Sequence, residues 1–328
     1  MVQELESRIQ QYLGVKHCIC VCNATIGLEL LQRALNLNGE VIIPSFTFIA
    51  TAHSLRWQRL DPVFCDIRME DHLIDPTKIE ELITPRTSAI MAVPIWGQPC
   101  DYSALQAIAD KHDLKLIFDS AHAFGCKSED QYLGGFGDAE VFSFHATKSI
   151  TTGEGGMILA DNSAIAKKIR LFRSHGVDKE RYKHLVHGHN FRLSNLLASI
   201  GYSQSKRIDE LNKKRLNLYI LYLKHLDLNK IKQQNFYNNK KIIPWTFALT
   251  LKKGLNVNKL SIFLYKNKIE TRLGFFSPSR LKLYKVKKNL YSSSDYLSKN
   301  IICLPFFLGL KEKEIKYICS KINYFLNS

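Results

Sequence analysis

Seven short apolar runs recur along the first half of the chain, near residues 17–22, 40–43, 62–65, 88–93, 114–119, 139–144 and 156–160. Runs of this length, bounded by turn formers and rich in Val, Ile and Phe, read as strands buried on both faces. Segments with helical spacing separate them, such as Leu28, Leu31 and Leu35 after the first run. Strands alternating with helices predict an α/β fold with a mostly parallel seven-stranded sheet covered by helices. Over residues 194–208 and 211–226 the period turns helical, with Leu197, Ile200 and Ile208 among its apolar points. A long connector of this kind predicts the end of a first unit. Beyond it a strand over 245–251, a helix near 259–267 and a last helix over 312–325 predict a smaller α+β unit. The expected division is a large domain over residues 1–200, with a connector helix and smaller C-terminal domain over 201–328.

Composition narrows the class. A chain of 328 residues, 45% of them hydrophobic, can bury a large core and is long enough for two domains. It has no run of about 18 apolar residues, and charged, amphipathic residues follow Met1, so a membrane span and a signal sequence are not expected. A cytoplasmic protein is the expectation, with its eight cysteines as reduced thiols. Cys18, Cys20 and Cys22 alternate on one strand face and cannot wrap a tetrahedral ion, so no metal site is expected.

Charge is uneven. Residues 201–328 hold 26 Lys/Arg and 7 Asp/Glu, a net of +19 that leaves the first 200 residues at −3 of the total +16. A basic half can signal a nucleic-acid partner. Here the lysines are scattered among asparagines and isoleucines, and neither a helix-turn-helix nor an aromatic RNA platform accompanies them, so solvated charge is the expectation.

Candidate chemistry gathers at the strand ends. Ser143-Phe144-His145-Ala146-Thr147-Lys148, followed by Gly153-Glu154-Gly155-Gly156, places a lysine between an apolar strand and a glycine-rich turn. A lysine desolvated at the carboxyl end of a strand can lose its proton and condense with an aldehyde cofactor; a solvated lysine before a turn has the same local sequence. The strand 115–119 ends on Asp119, a carboxylate able to hold a protonated pyridine nitrogen, with His122 three residues on; a helix-start histidine satisfied by backbone is the alternative. Asn23-Ala24-Thr25 joins a strand to a helix, which fits either a phosphate cradle or a simple N-cap. Phe48, after the strand 40–43, can lie on a cofactor ring or belong to the core.

In this order the four segments resemble the DegT/DnrJ/EryC1/StrS sugar aminotransferases. Asn23-Ala24-Thr25 is similar to the family's Ser-Gly-Thr turn, residues 47–51 to its Thr-Phe-x-Ala-Thr, residues 119–122 to its Asp-x-Ala-His, and residues 143–148 to its Ser-Phe-His-x-Thr-Lys. Gly188-His189-Asn190-Phe191-Arg192 resembles Gly-Tyr-Asn-x-Arg, and Leu304-Pro305 a late Leu-Pro. The resemblance implies an aspartate-aminotransferase-like fold (fold type I) binding pyridoxal 5'-phosphate. By the same resemblance Lys148 bonds the cofactor, Asp119 pairs its ring nitrogen, Phe48 stacks on the ring and His122 touches the 3-hydroxyl. Asn23, Ala24, Thr25 and Ser143 surround the phosphate, joined by Asn190 from the other subunit of a homodimer with shared sites. Asp66 and Asp101 are fallback carboxylates. Lysine at 148, where the family's dehydratases carry histidine, implies amino transfer.

The implied reaction moves an amino group from glutamate to a nucleotide-linked keto-6-deoxyhexose, in deoxyamino sugar biosynthesis such as that for lipopolysaccharide O-antigen. Similarity around residues 39–44, 57–58 and 121–125 favours C4 of dTDP-4-keto-6-deoxyglucose over C3 amination. Two departures suggest the alternative of a shortened, non-catalytic relative. The family's longer N-terminal arm does not precede Met1, and residues 271–280 lack the tyrosine and Pro-x-His often found there.

Overall fold

A computed structural model describes residues 1–178, 180, 182–234, 240–252, 255–284 and 291–328. Helix α1 (Val2–Leu13) leads into β1 (His17–Val21), α2 (Ala24–Ala34), β2 (Glu40–Pro44), α3 (Ile49–Trp57) and β3 (Asp61–Cys65). After these come β4 (Thr87–Ala92), α4 (Tyr102–Lys111), β5 (Lys115–Asp119), a small hairpin of β6 (Lys127–Ser128) and β7 (Gln131–Tyr132), β8 (Ala139–Ser143), β9 (Gly156–Ala160) and α5 (Ser163–Arg173). All seven runs expected as strands are strands. They form one sheet in the order β1-β9-β8-β5-β4-β2-β3. The pairs β2–β3, β2–β4, β4–β5 and β5–β8 are parallel, and β9 alone runs the other way, antiparallel to both β8 and β1.

That single reversal positions the site. Since β9 opposes both neighbours, β1 runs with β8, and the carboxyl ends of β1, β2, β5 and β8 all open on one edge of the sheet. Continuous apolar strands are what such a sheet requires, because helices cover both of its faces. Ile42, Ile90, Phe118 and Phe142 pack into one buried cluster, and Ile19, Val41, Ile117, Val141 and Ile158 into the other.

The connector is the helix pair α6 (Asn195–Ser205) and α7 (Ile208–His225). It leads to β10 (Ile231–Gln233), β11 (Lys240–Lys241), β12 (Phe247–Leu251), α8 (Val257–Lys266), β13 (Arg272–Leu273), α9 (Ser292–Asn300), β14 (Ile301–Leu304) and α10 (Glu312–Asn327). A four-stranded sheet, β10-β12-β14-β13, carries a third core in which Tyr222 of α7, Leu260 and Leu264 of α8, and Ile315 and Ile322 of α10 pack on Phe247, Leu249 and Ile302. Strand β11 instead joins β6 and β7 in a small three-stranded sheet. Five elements here lay outside the sequence expectation: β10, β11, β13, α9 and β14. β13 has two exposed residues and is a strand only through its pairing with Cys303 and Ile302. No helix among the described residues is long and apolar enough to cross a membrane, and no group of three or more potential metal ligands occurs among them.

Candidate active site

Eight of the nine residues singled out in the sequence line one pocket of about 290 Å³ at the shared strand edge: Asn23, Ala24, Thr25, Phe48, Asp119, His122, Ser143 and Lys148. The ninth, Asn190, does not reach it. Its side chain is exposed, its backbone bridges to Ser174, and its Oδ1 accepts a hydrogen bond from Arg192 Nε at 3.0 Å.

The turn after β1 works as an N-cap and still leaves donors over. Asn23 Oδ1 accepts from Ile26 N at 2.9 Å, capping α2. Ala24 and Thr25 begin the helix, where N–H groups have no acceptor within the helix and the helix dipole is positive. Gly156 makes room for this turn, since a Cβ there would stand 2.6 Å from Ala24 N. Ser143, at the end of β8, faces the same pocket and accepts from His145 N at 3.3 Å.

Asp119 closes the floor. It is 5% exposed; Thr51 donates to its Oδ2 at 2.7 Å and the Ala121 N–H to its Oδ1 at 3.3 Å. Burial holds its pKa above the usual carboxylate value despite these bonds and the nearby Lys148. A buried carboxylate in that condition is matched to a cationic ring nitrogen. Thr51, in the first turn of α3, also bonds through its hydroxyl to Thr47 at 2.8 Å, and its place in the 47–51 segment was the available signal for it.

His122 is buried, and its ring lies flat on the Trp245 indole, 4.1 Å between centroids at 1°. Its Nδ1 has no hydrogen-bond partner. Burial, with Lys148 and Arg272 nearby, drives its pKa well below the ordinary histidine value, so it is neutral. Trp96 and Phe275 extend the stack, 4.8 Å apart at 6°. Trp96 adopts a left-handed backbone (φ 60°), an uncommon conformation that the hydrogen bond from Trp245 N to its carbonyl holds in place. Phe48 is half exposed and leans on Phe275 at 5.7 Å, so it lines the pocket rather than the core.

Lys148 lies in the loop that joins β8 to β9. Its Nζ lies 4.1 Å from the Trp245 ring centroid, while Trp245 Nε1 donates to Thr147 O at 2.9 Å. Arg215 donates to Lys148 O at 2.8 Å and to Trp245 O at 3.2 Å, fixing the backbone on both sides. Burial pushes the amine's pKa down to about 7; Asp119 opposes the shift, and Arg272 and Arg215 add to it. A lysine in this state offers a neutral, nucleophilic amine near neutral pH. The two fallback carboxylates are committed elsewhere. Asp66 accepts from Ser294 N and Oγ at the start of α9, and Asp101 caps α4.

An unpaired neutral imidazole nitrogen, a buried carboxylate raised by burial, a low-pKa lysine and a helix start at one strand edge suit a pyridine-aldehyde phosphate. The fold and the pocket thus define a pyridoxal-phosphate type of enzyme. Residues 1–323 match the family model described as the DegT/DnrJ/EryC1/StrS aminotransferase family, and the chain belongs to that family, whose members use pyridoxal 5'-phosphate. The chain is 33% identical over 332 residues to the GDP-perosamine synthase of Vibrio cholerae, covering 99% of this chain and 90% of that one. It is 34% identical over 330 residues to the dTDP-4-amino-4,6-dideoxy-D-glucose transaminase of Shigella dysenteriae, covering 98% and 89%. The crystal structure of DesI with its TDP-sugar product superposes with a TM-score of 0.93 at 32% identity, covering 99% of this chain and 84% of DesI.

Proposed function

We propose that this aminotransferase moves an amino group from glutamate to C4 of a nucleotide-linked 4-keto-6-deoxyhexose, with dTDP-4-keto-6-deoxyglucose the first substrate to try. The convergence of Lys148, Asp119 and His122 in one pocket carries the amino-transfer part, and the similarity to a dTDP-4-amino-4,6-dideoxy-D-glucose transaminase supports the sugar and the carbon. When bound, pyridoxal 5'-phosphate supplies an electron sink and a carrier for nitrogen. Asp119 would hold its ring nitrogen protonated, and the unpartnered His122 Nδ1 would take the ring hydroxyl. The N–H groups of Ala24 and Thr25, with the hydroxyls of Thr25 and Ser143, would receive the phosphate, and Phe48 would cover the ring. Lys148 would attach the cofactor through Nζ, and its low-pKa amine would move the proton at the donor's α-carbon.

The second ligand is accommodated next door. A cavity of about 1020 Å³ meets the cofactor pocket at Thr147, Lys148, Trp245 and Arg272, giving a nucleotide sugar room beside the reacting amine. The active unit we propose is a homodimer in which Asn190 of the partner subunit completes the phosphate site. In support, Asn190 lies away from its own pocket, and Leu196 and Ile200 nearby are 75% and 42% exposed.

Incubation of the purified enzyme with glutamate and a panel of keto-sugar nucleotides, followed by mass spectrometry, tests the assignment. The dTDP-4-keto-6-deoxyglucose sample should gain an amine at C4. Amination only at C3, or only of a GDP-linked sugar, overturns the corresponding part of the proposal.

A further inference from the structure

On the aminotransferase activity proposed above, we infer that Arg272 is the donor-binding residue, its guanidinium receiving the α-carboxylate of the amino acid that gives up nitrogen. Arg272 opens the edge strand β13 and borders both the cofactor pocket and the larger cavity. The side chain is exposed, and its Cζ lies 4.6 Å from the centroid of the Trp245 ring, the same indole that carries Lys148 Nζ at 4.1 Å. Among the described residues that line the smaller pocket, Lys148 and Arg272 are the two side chains with an ammonium or guanidinium. No carboxylate of a described residue lies within ion-pair distance of either one. The third nearby cation, Arg215, is occupied by the carbonyls of Lys148 and Trp245. Of the two acids in the pocket, Asp119 lies on the floor, held by Thr51 and Ala121, and Glu154 faces His145 at 3.6 Å.

Bond connectivity separates the donor from the sugar as the anion concerned. In any α-amino acid the carboxylate is one bond from the α-carbon whose proton Lys148 takes, so it must lie close to Nζ. In a nucleotide sugar aminated at C4, the diphosphate is attached at C1, across the whole pyranose ring from the reacting carbon. A cation sharing one indole with Lys148 is therefore at the distance of the donor's carboxylate. The chemistry of the side chain fits as well. A guanidinium binds a carboxylate through two parallel hydrogen bonds; the flat indole supports it, and its side-chain hydrogen bond to the Cys303 thiol involves no opposite charge and leaves further N–H groups for a ligand.

The test compares Arg272→Met and Arg272→Lys with the unaltered holoenzyme. Glutamate half-saturation is followed by loss of cofactor absorbance, the KM for the keto-sugar nucleotide is measured separately, and glutarate, which has both carboxylates and no amine, is titrated by calorimetry. Arg272→Met should weaken both glutamate and glutarate by on the order of tenfold to a hundredfold while the sugar KM stays within about twofold. Arg272→Lys, which keeps the charge and loses the fork, should fall between. Unchanged glutamate and glutarate binding overturns the inference, as does a rise confined to the sugar KM, which would assign the guanidinium to the diphosphate. An unaltered enzyme that takes no amine from glutamate instead refutes the activity itself before any variant is compared.

Discussion

Trp245 and Lys148 are joined twice: the lysine amine lies 4.1 Å from the centre of the indole ring, and the indole N–H donates to the carbonyl of the residue before that lysine. The pairing keeps the amine against an apolar surface, where its charged form is disfavoured. Lys148 should consequently be the site of cofactor attachment. Borohydride reduction of the holoenzyme followed by peptide mapping should find the label on Lys148. In cofactor-free protein, labelling of this lysine by an added aldehyde should fall as the pH drops through about 7, where the amine takes a proton. Label on another lysine, or a midpoint near 10, would contradict the assignment.

Asp119→Asn should fold and still bind cofactor, because the amide oxygen can still accept from the Ala121 N–H while its NH2 donates to the Thr51 hydroxyl. It cannot stabilise a positive ring nitrogen, so turnover should drop by about a hundredfold or more. With Asp66 and Asp101 committed to helix starts, no other carboxylate is placed to compensate. A variant of near-normal rate would mean that the ring nitrogen meets a different group.

Glu140 supplies a pH test of stability. It is fully buried in β8, accepting from Gly134 N, Phe136 N and Ser120 Oγ, and burial raises its pKa from 4.5 to about 7. The folded protein therefore holds a proton between pH 4.5 and 7 that the unfolded chain releases, so this residue makes stability fall as pH rises across that window. Glu140→Gln keeps an acceptor for the two N–H groups and should flatten the slope in denaturant titrations at pH 5, 6 and 7. An unchanged slope would assign the proton to another group.

Arg215→Met should cost roughly 2–4 kcal/mol of stability, because it strands the buried carbonyls of Lys148 and Trp245. Thermal melts and urea titrations measure this. The same change should raise the midpoint of Lys148 labelling, since one of the charges depressing it is removed. A stability loss with an unmoved midpoint would show that Arg215 supports the fold alone.

The proposed sharing of sites between subunits makes a complementation test available. Lys148→Ala and Asn190→Ala subunits, each inactive alone, should recover part of the activity when allowed to exchange, since each mixed dimer regains one intact site. Exchange proven by mass spectrometry without recovered activity would rule out sharing.

Much of this architecture was legible in the chain because a parallel sheet needs unbroken apolar strands, and those runs stand out between polar helices. Their edges followed within a residue or so; the first strand, expected over 17–22, ends at Val21. The residues at those edges followed too, since a strand's carboxyl end fixes where Asp119 and Lys148 emerge. Trp245 and Arg272 were not legible as pocket residues. Each acts across a long loop closure, Trp245 by reaching back 98 residues to Thr147, and no local pattern encodes such a contact. Trp96 was hidden for a different reason, its left-handed backbone being imposed by partners far along the chain. β13 carries no apolar signal at all, and its strand state is set by register with β14.

The stack of His122 on Trp245 also limits how the molecule can be divided. One ring follows β5 of the large sheet, the other comes from the residue that introduces the C-terminal core, and Arg215 fastens the backbone of Trp245 to that of Lys148. A fragment ending near residue 200 would keep Lys148, Asp119 and the phosphate turn yet lose the wall they face. The two halves are thus not modular: a chimaera that exchanged the C-terminal half for a relative's would inherit a working amine only if the graft brought its own indole into register with Lys148.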